Sequence, residues 1–275
     1  MSNCKVMALA NQKDGVGKAT TTMNLGIGLA NLGNMVLLID SDPQANLTMA
    51  LGYTHPDVHG NNICGVLRKE INDNDYNCEK YIVSTEEGVD LVPSSIELSG
   101  MEVRLASAMS REMLMKGFIE KIRDSYDYVL IDCQPSLGVL AVNSLVCSDS
   151  VIIPTQAAYF SAMGLGMLRN IVTRVRKTLN PSLKIEGVLM TMVNARTNIT
   201  KETIEEIIDS YGKTMPIFST QIPYSVKSVE AATCGESIYK HSKDSKIDDA
   251  YEQFVKEVDE LGKRQKWQDR AECLR

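Results

Sequence analysis

The sequence predicts an α/β fold: one doubly wound, mostly parallel sheet with helices on both faces. Three observations predict it. Apolar runs of strand length alternate along the chain with segments whose apolar residues recur at helical spacing. The runs at 6–10, 35–40 and 126–132 are nearly unbroken in apolar character, as suits parallel strands covered on both faces. A glycine-containing loop, 11–22, joins the first run to a helix-like segment, and strand, glycine loop, helix is the order that cradles phosphate.

The chain has 275 residues, 44% of them hydrophobic, enough to bury a large core. A formal net charge of −6 argues against a generally basic nucleic-acid binder and leaves room for a local basic patch. No run reaches the roughly 18 apolar residues of a membrane helix. The run at 6–10 is too short for the apolar region of a signal peptide. Seven cysteines (Cys4, Cys64, Cys78, Cys133, Cys147, Cys234 and Cys273) are scattered and form no CxxC pair. Free thiols in a reducing cytoplasm are therefore expected, and zinc or cluster ligation is not.

Taken in order, the strand at 6–10 leads through the loop into a helix that Gly33-Asn34 ends. The strand at 35–40 finishes on Asp40, and Asp42 follows. Acidic residues at the carboxyl end of such a strand face the crevice where open α/β sheets bind ligands. Alternatively, Asp42 caps the helix after Pro43. His55-Pro56-Asp57 and Asn72-Asp73-Asn74-Asp75 read as surface loops around a short helix at 63–71. A strand is expected at 89–93, and helices at 96–108 and 112–125, with Met101, Met109, Met113 and Met115 as core filler. The strand at 126–132 ends on Asp132, a position that suits a magnesium-binding aspartate, and 133–138 reads as a switch loop. Cys133 is expected to be a small buried residue. Strands at 150–154, 185–193 and 217–222 alternate with helices at 164–179 and 203–211. A last helix at 246–262 places Ile247, Ala250, Tyr251, Phe254, Val258 and Leu261 on one face. Residues 1–262 are read as one domain and 263–275 as a charged tail, a frayed helix end that carries Trp267.

The chemistry concentrates in Asn11-Gln12-Lys13-Asp14-Gly15-Val16-Gly17-Lys18-Ala19-Thr20. Gly15 and Gly17 permit backbone conformations that a Cβ disfavours, so successive amides can turn toward an anion. Lys18 stands where a P-loop lysine reaches the β- and γ-phosphates. The general string asks for glycine where Gln12 stands and for a hydroxyl where Ala19 stands. The loop, Asp40, Asp42 and Asp132 all converge on one edge of the expected sheet.

These residues resemble the ParA/Soj partition ATPases, within the deviant Walker A group of P-loop NTPases that includes MinD. Lys13 to Thr20 resembles the family loop Lys-Gly-Gly-Val-Gly-Lys-Thr-Thr. Leu38 to Asn46 resembles Leu-Ile-Asp-x-Asp-Pro-Gln-x-Asn, and Asp127 to Gly138 resembles Asp-Tyr-x-x-Ile-Asp-x-x-Pro-Ser-Leu-Gly. The likeness runs from about residue 4 to 260 and is strongest to partition ATPases of Firmicute chromosomes, plasmids or integrative elements. It implies ATP or ADP with Mg2+, a homodimer formed on ATP binding, non-specific DNA binding by that dimer, and a ParB-like partner that stimulates slow hydrolysis. It implies nucleoid association in the cytoplasm; no membrane attachment is expected, because the tail at 262–270 has one large apolar residue and no clear apolar face. By resemblance, Lys13 is the signature lysine that reaches the other subunit's phosphates. The stretch Asp14, Gly15, Val16, Gly17, Lys18, Ala19 and Thr20 binds nucleotide. Asp42 positions the attacking water, Asp40 and Asp132 hold magnesium or its waters, and Asn194 and Pro223 contact adenine. Arg196 and Lys227 fall at DNA-contacting positions; the alternative is solvated surface charge.

Two departures fall inside the loop. Ala19 lacks the hydroxyl that ligates magnesium, and Thr20 is rotated about 100° around the helix from it. Asp14 replaces a glycine beside the signature lysine, adding negative charge near the phosphates or pairing with Lys13. A ParA-like protein with impaired hydrolysis and impaired dimerisation is therefore expected. A nucleotide-binding adaptor without turnover is the second reading, and a MinD-like spatial regulator the third.

Overall fold

The computed structural model describes residues 4–53, 60–72, 75–157 and 161–273, with backbone only for 161–163 and 264–273. The proposed loop at His55-Pro56-Asp57, two residues of the Asn72 to Asp75 loop, and the Trp267 side chain lie outside the described residues. In chain order the elements are β1 (Lys5–Leu9), α1 (Lys18–Asn31), β2 (Val36–Ser41), α2 (Asn46–Ala50), α3 (Ile63–Ile71), β3 (Val83–Ser84), β4 (Asp90–Val92), α4 (Leu98–Leu105), α5 (Leu114–Ile122), β5 (Tyr128–Cys133) and α6 (Val139–Cys147). There follow β6 (Ser150–Gln156), α7 (Ser161–Thr178), β7 (Lys184–Val193), α8 (Asn198–Tyr211), β8 (Ile217–Pro223), α9 (Lys227–Cys234), α10 (Ile238–His241) and α11 (Lys246–Cys273).

The strands form one sheet in the order β3-β4-β2-β5-β1-β6-β7-β8. Every pairing is parallel except β3 with β4. This is the doubly wound fold that the alternation predicts. On β1, Val6 and Ala8 pack with α3 to α8, while Met7 and Leu9 pack with α1, α2 and α9 to α11. Strand alternation thus feeds two cores, one per face. By the same alternation Asp40, after Leu38, projects toward the face of α1. Asp132, its register partner on the neighbouring strand, does the same. The two carboxylates therefore meet beneath the start of α1.

Four details differ from the sequence reading. The edge strand β3 was not expected; two residues are too few to display an alternating pattern. Met101 and Met115 are buried as core filler, but Met109 is 91% exposed, because it lies in the turn between α4 and α5 where no helical face carries it inward. The last helix does not stop at 262. It continues to Cys273, so the backbone of the proposed tail is helical through that residue. Finally α9, which follows β8, was not anticipated. Among the described residues no helix is long and apolar enough to cross a membrane.

Candidate functional site

β1 delivers the chain to the loop, and two side chains clamp it there. Asn11, buried, donates from Nδ2 to the Pro154 carbonyl at 2.7 Å and accepts from the Lys13 amide at 2.9 Å. The Thr191 hydroxyl on β7 donates to the Val16 carbonyl at 2.8 Å. Gly15 and Gly17 lie at φ +67° and +80°, in the left-handed region that costs a side-chain-bearing residue about 1–2 kcal/mol. Gly17 is the N-cap of α1 and supplies no side chain, so the first amides of a 14-residue helix stay available to an anion.

Lys18 is 6% exposed, and its ammonium makes one long hydrogen bond, 3.4 Å to the Lys13 carbonyl. Such a buried cation is completed by an anionic ligand. Asp132 is 2% exposed, and its Oδ1 has no hydrogen-bond partner. Burial, and after it the neighbouring Asp40, holds the Asp132 carboxyl well above the usual carboxylate range, with Lys18 opposing. Burial also raises Asp42, with Lys18 pulling it down and Asp14 pushing it further up. Asp42 is 6% exposed, and its Oδ1 accepts from the Gln44 amide at 2.9 Å.

Asp40 sits behind this arrangement. Its Oδ2 accepts from the Thr48 hydroxyl at 2.6 Å and the Thr48 amide at 2.8 Å, and its Oδ1 accepts from the Asp42 amide at 3.1 Å. Thr48 in turn accepts from the Ser94 amide at 3.0 Å. Asp40 therefore locks the 42–45 loop rather than facing the cleft. Thr48→Val leaves Asp40 and the Ser94 amide short of a partner. We expect it to cost about 1–3 kcal/mol in urea unfolding, and Thr48→Ser far less.

A cleft of about 410 Å3 opens above the loop, lined by Asp14, Lys18 and Ala19 on one side and by Asp42, Asp132 and Met192 across it. The volume lies within the range of small-molecule sites. α9 closes the remaining side with Ser228, Val229, Ala232 and Thr233, and α2 adds Asn46 and Met49. Sequence reading missed these residues. Their one signal is Gly235 at φ +70°, which ends α9 as a C-cap. Asp14 is exposed and folds back on itself, its Oδ1 accepting from the Gly15 amide at 2.7 Å. The alternative pairing of Asp14 with Lys13 is not formed; the Lys13 ammonium lies 3.4 Å from Gln156 Oε1 instead. Thr20 lines the cleft on α1 beside Ala19.

Asn194 and Pro223 fall at adjacent carboxyl ends of β7 and β8, where Val193 pairs with Pro223. They flank the phosphate cleft without lining it. Arg196 and Lys227 are exposed and form no ion pair among the described residues. Lys227 is the first residue of α9.

Among the described residues no three His, Cys, Asp or Glu side chains could hold a metal by themselves. Magnesium normally takes one or two carboxylates together with substrate phosphates. The orphaned Asp132 Oδ1 beside Lys18 fits that division.

Residues 4–185 match the protein family described as an AAA domain. The chain is 41% identical over 254 residues to the sporulation initiation inhibitor protein Soj of Bacillus subtilis, spanning 92% of this chain and 98% of that protein. It is 37% identical over 257 residues to the chromosome partitioning protein ParA of Caulobacter vibrioides, spanning 92% and 93%. The chain belongs to the ParA/Soj family of partition ATPases. Among solved structures it resembles cobyrinic acid a,c-diamide synthase from Mycobacterium smegmatis with bound ATP analogue and magnesium. The TM-score is 0.80 at 33% identity, over 92% of this chain and 93% of that one. The lysine-bearing loop, Asp42 just after β2 and Asp132 near the end of β5 thus line one cleft, with Asp40 behind it.

Proposed function

We propose that the chain is a ParA-like partition protein that binds ATP or ADP with magnesium in this cleft, forms a homodimer on binding ATP, and in that state binds DNA without sequence preference. One observation carries the reading: a buried Lys18 that forms no ion pair among the described residues and an orphaned Asp132 oxygen flank a helix start whose amides are uncapped. The loop amides and Lys18 receive the β- and γ-phosphates. Asp132 would hold magnesium or its waters, and the bound ion would supply positive charge against the phosphates. Asp42 orients the attacking water, and Asp40 keeps Asp42 in place. Lys13 reaches the phosphates of the second subunit, while Asn194 and Pro223 contact the base. A ParB-like protein is the stimulating partner, and the protein works on the nucleoid.

Hydrolysis is slow in this chain because Ala19 offers magnesium no hydroxyl and Asp14 adds a third carboxylate to a cleft that Asp42 and Asp132 already line. The same two residues favour a second reading, an adaptor that binds nucleotide without turnover. Phosphate release with and without DNA separates the two readings. Calorimetric titration of ATP and magnesium tests the shared premise. Lys18→Ala should weaken binding by at least about 100-fold, a loss of roughly 2.7 kcal/mol. Equal affinity in the variant would refute the site.

DNA binding that rests on Arg196 and Lys227 should weaken steeply with salt. Each single alanine substitution should lower the slope of log affinity against log salt by about 1 per subunit, uniformly across sequences. Unchanged slopes would leave both residues as solvated surface charge.

A further inference from the structure

Two consecutive residues near the end of β7 both reach the loop. The Thr191 hydroxyl, on a residue 2% exposed, holds the Val16 carbonyl at 2.8 Å. The Met192 side chain lines the cleft, its terminal carbon 3.7 Å from where a Cβ on Gly17 would sit. In a regular strand successive side chains point to opposite faces, so two neighbours cannot both do this. The backbone at Met192 explains how they do. Its φ is +53°, left-handed in a residue that is not glycine, and the pairing of β7 with β8 slips register between Met190 and Val193. A conformation of this kind costs about 1–3 kcal/mol and persists only where its surroundings enforce it. It is one of two left-handed, non-glycine residues beside the cleft; the other, Ala45, precedes Asn46 of α2.

We propose that this bulge is a second clamp on the phosphate loop: strand alternation after Leu189 already points Thr191, a positioning residue, at Val16, and the left-handed Met192 backbone is the device that turns the next side chain onto Gly17 as well. With the Val16 carbonyl tied to β7, the amides that follow it are held in the arrangement an anion requires before the anion arrives. Affinity that would otherwise be lost to ordering the loop is retained. Asn11, which ties the other end of the loop to β6, is the first clamp. The inference rests on the nucleotide reading of the cleft and adds to it which residues outside the loop set its affinity.

The test is calorimetric titration of ATP and of ADP, each with magnesium, into the unaltered chain and four variants, with thermal melts to establish that each is folded at the titration temperature. Thr191→Val should weaken ATP and ADP alike by about tenfold, a loss of roughly 1.4 kcal/mol, because both carry the phosphates that the loop amides receive. Thr191→Ser should restore affinity to within about threefold of the unaltered chain. Met192→Val puts a β-branched residue where the left-handed backbone is least tolerated, and its affinity should fall by about tenfold. Met192→Gly takes the left-handed backbone without strain and loses only the side chain over Gly17, so its affinity should fall clearly less than that of Met192→Val. A merely structural role would shift the melts and leave the affinity of the folded protein unmoved, which overturns the proposal. Equal losses in Met192→Val and Met192→Gly overturn the role of the left-handed backbone. Absence of ATP binding by the unaltered chain overturns the nucleotide reading itself, and the clamp with it.

Discussion

Restoring glycine at 14 and threonine at 19 together is expected to raise ATP hydrolysis at least about tenfold, equivalent to lowering the barrier by roughly 1.4 kcal/mol. Two independent causes combine. The Ala19→Thr change returns a hydroxyl at the start of α1, in the cleft that Asp132 also lines. A metal ligand at that point stabilises charge that grows between the β- and γ-oxygens as the bond breaks. The Asp14→Gly change removes a carboxylate that lines the same cleft and raises the Asp42 carboxyl by proximity. Like charges about 4 Å apart oppose one another by roughly 1 to 4 kcal/mol at surface dielectrics, and a γ-phosphate entering the cleft meets that opposition. The Asp14→Gly change leaves the fold intact. Asp14 is exposed, and its one hydrogen bond is to the next amide. Single-turnover phosphate release, with and without DNA, is the measurement. A double variant no faster than the unaltered chain would show that these positions do not limit hydrolysis.

Asp132→Asn should act in opposite directions with and without nucleotide. In the empty cleft a buried carboxylate with an orphaned oxygen lies beside a second buried carboxylate, Asp40, and both are raised above the ordinary range, chiefly by burial. Neutralising Asp132 should stabilise the nucleotide-free chain by about 1 kcal/mol, roughly 2–4 °C in Tm for a domain of this size. The folded value of each acid lies above its unfolded value. Their contribution to stability is therefore fully present below about pH 4 and is lost as the pH rises through the raised folded values. Asp132→Asn should flatten that decline between acid and neutral pH. With ATP and magnesium the ranking reverses: the unaltered chain gains stability from the bound ligands, and the variant loses the magnesium-dependent part of that gain. Melts at pH 5 and 7.5, with and without the ligands, read both signs. A variant that tracks the unaltered chain under all four conditions would remove Asp132 from the site.

The parts of the site that sequence reading reaches are those whose chemistry is local. Lys18 follows two glycines between a strand and a helix, and Asp132 ends an unbroken apolar run. Each is placed by the backbone that carries it, and the sheet order does the rest by setting Asp40 opposite Asp132. What escapes depends on contacts made across the fold. The Thr48 bracket joins β2 to the end of β4 through hydrogen bonds spanning 8 and 46 positions, and no spacing announces it. α9 buries only Ala231, so it lacks the apolar periodicity that marks a packed helix, yet it forms a wall of the cleft. The left-handed Met192 is invisible for a related reason. A methionine at the end of an apolar run reads as ordinary strand, and only the slipped register with β8 turns it toward the loop.

Dimerisation is where Asp14 and Ala19 should matter most, because Asp14 sits exposed beside Lys13, the lysine proposed to reach the second subunit. Sedimentation velocity with saturating ATP and magnesium, over a range of protein concentrations, tests this directly. The unaltered chain should bind ATP and yet dimerise only at concentrations at least about tenfold higher than the Asp14→Gly/Ala19→Thr double variant, a difference of roughly 1.4 kcal/mol or more. Coincident dimerisation curves for the two proteins would contradict an impaired switch.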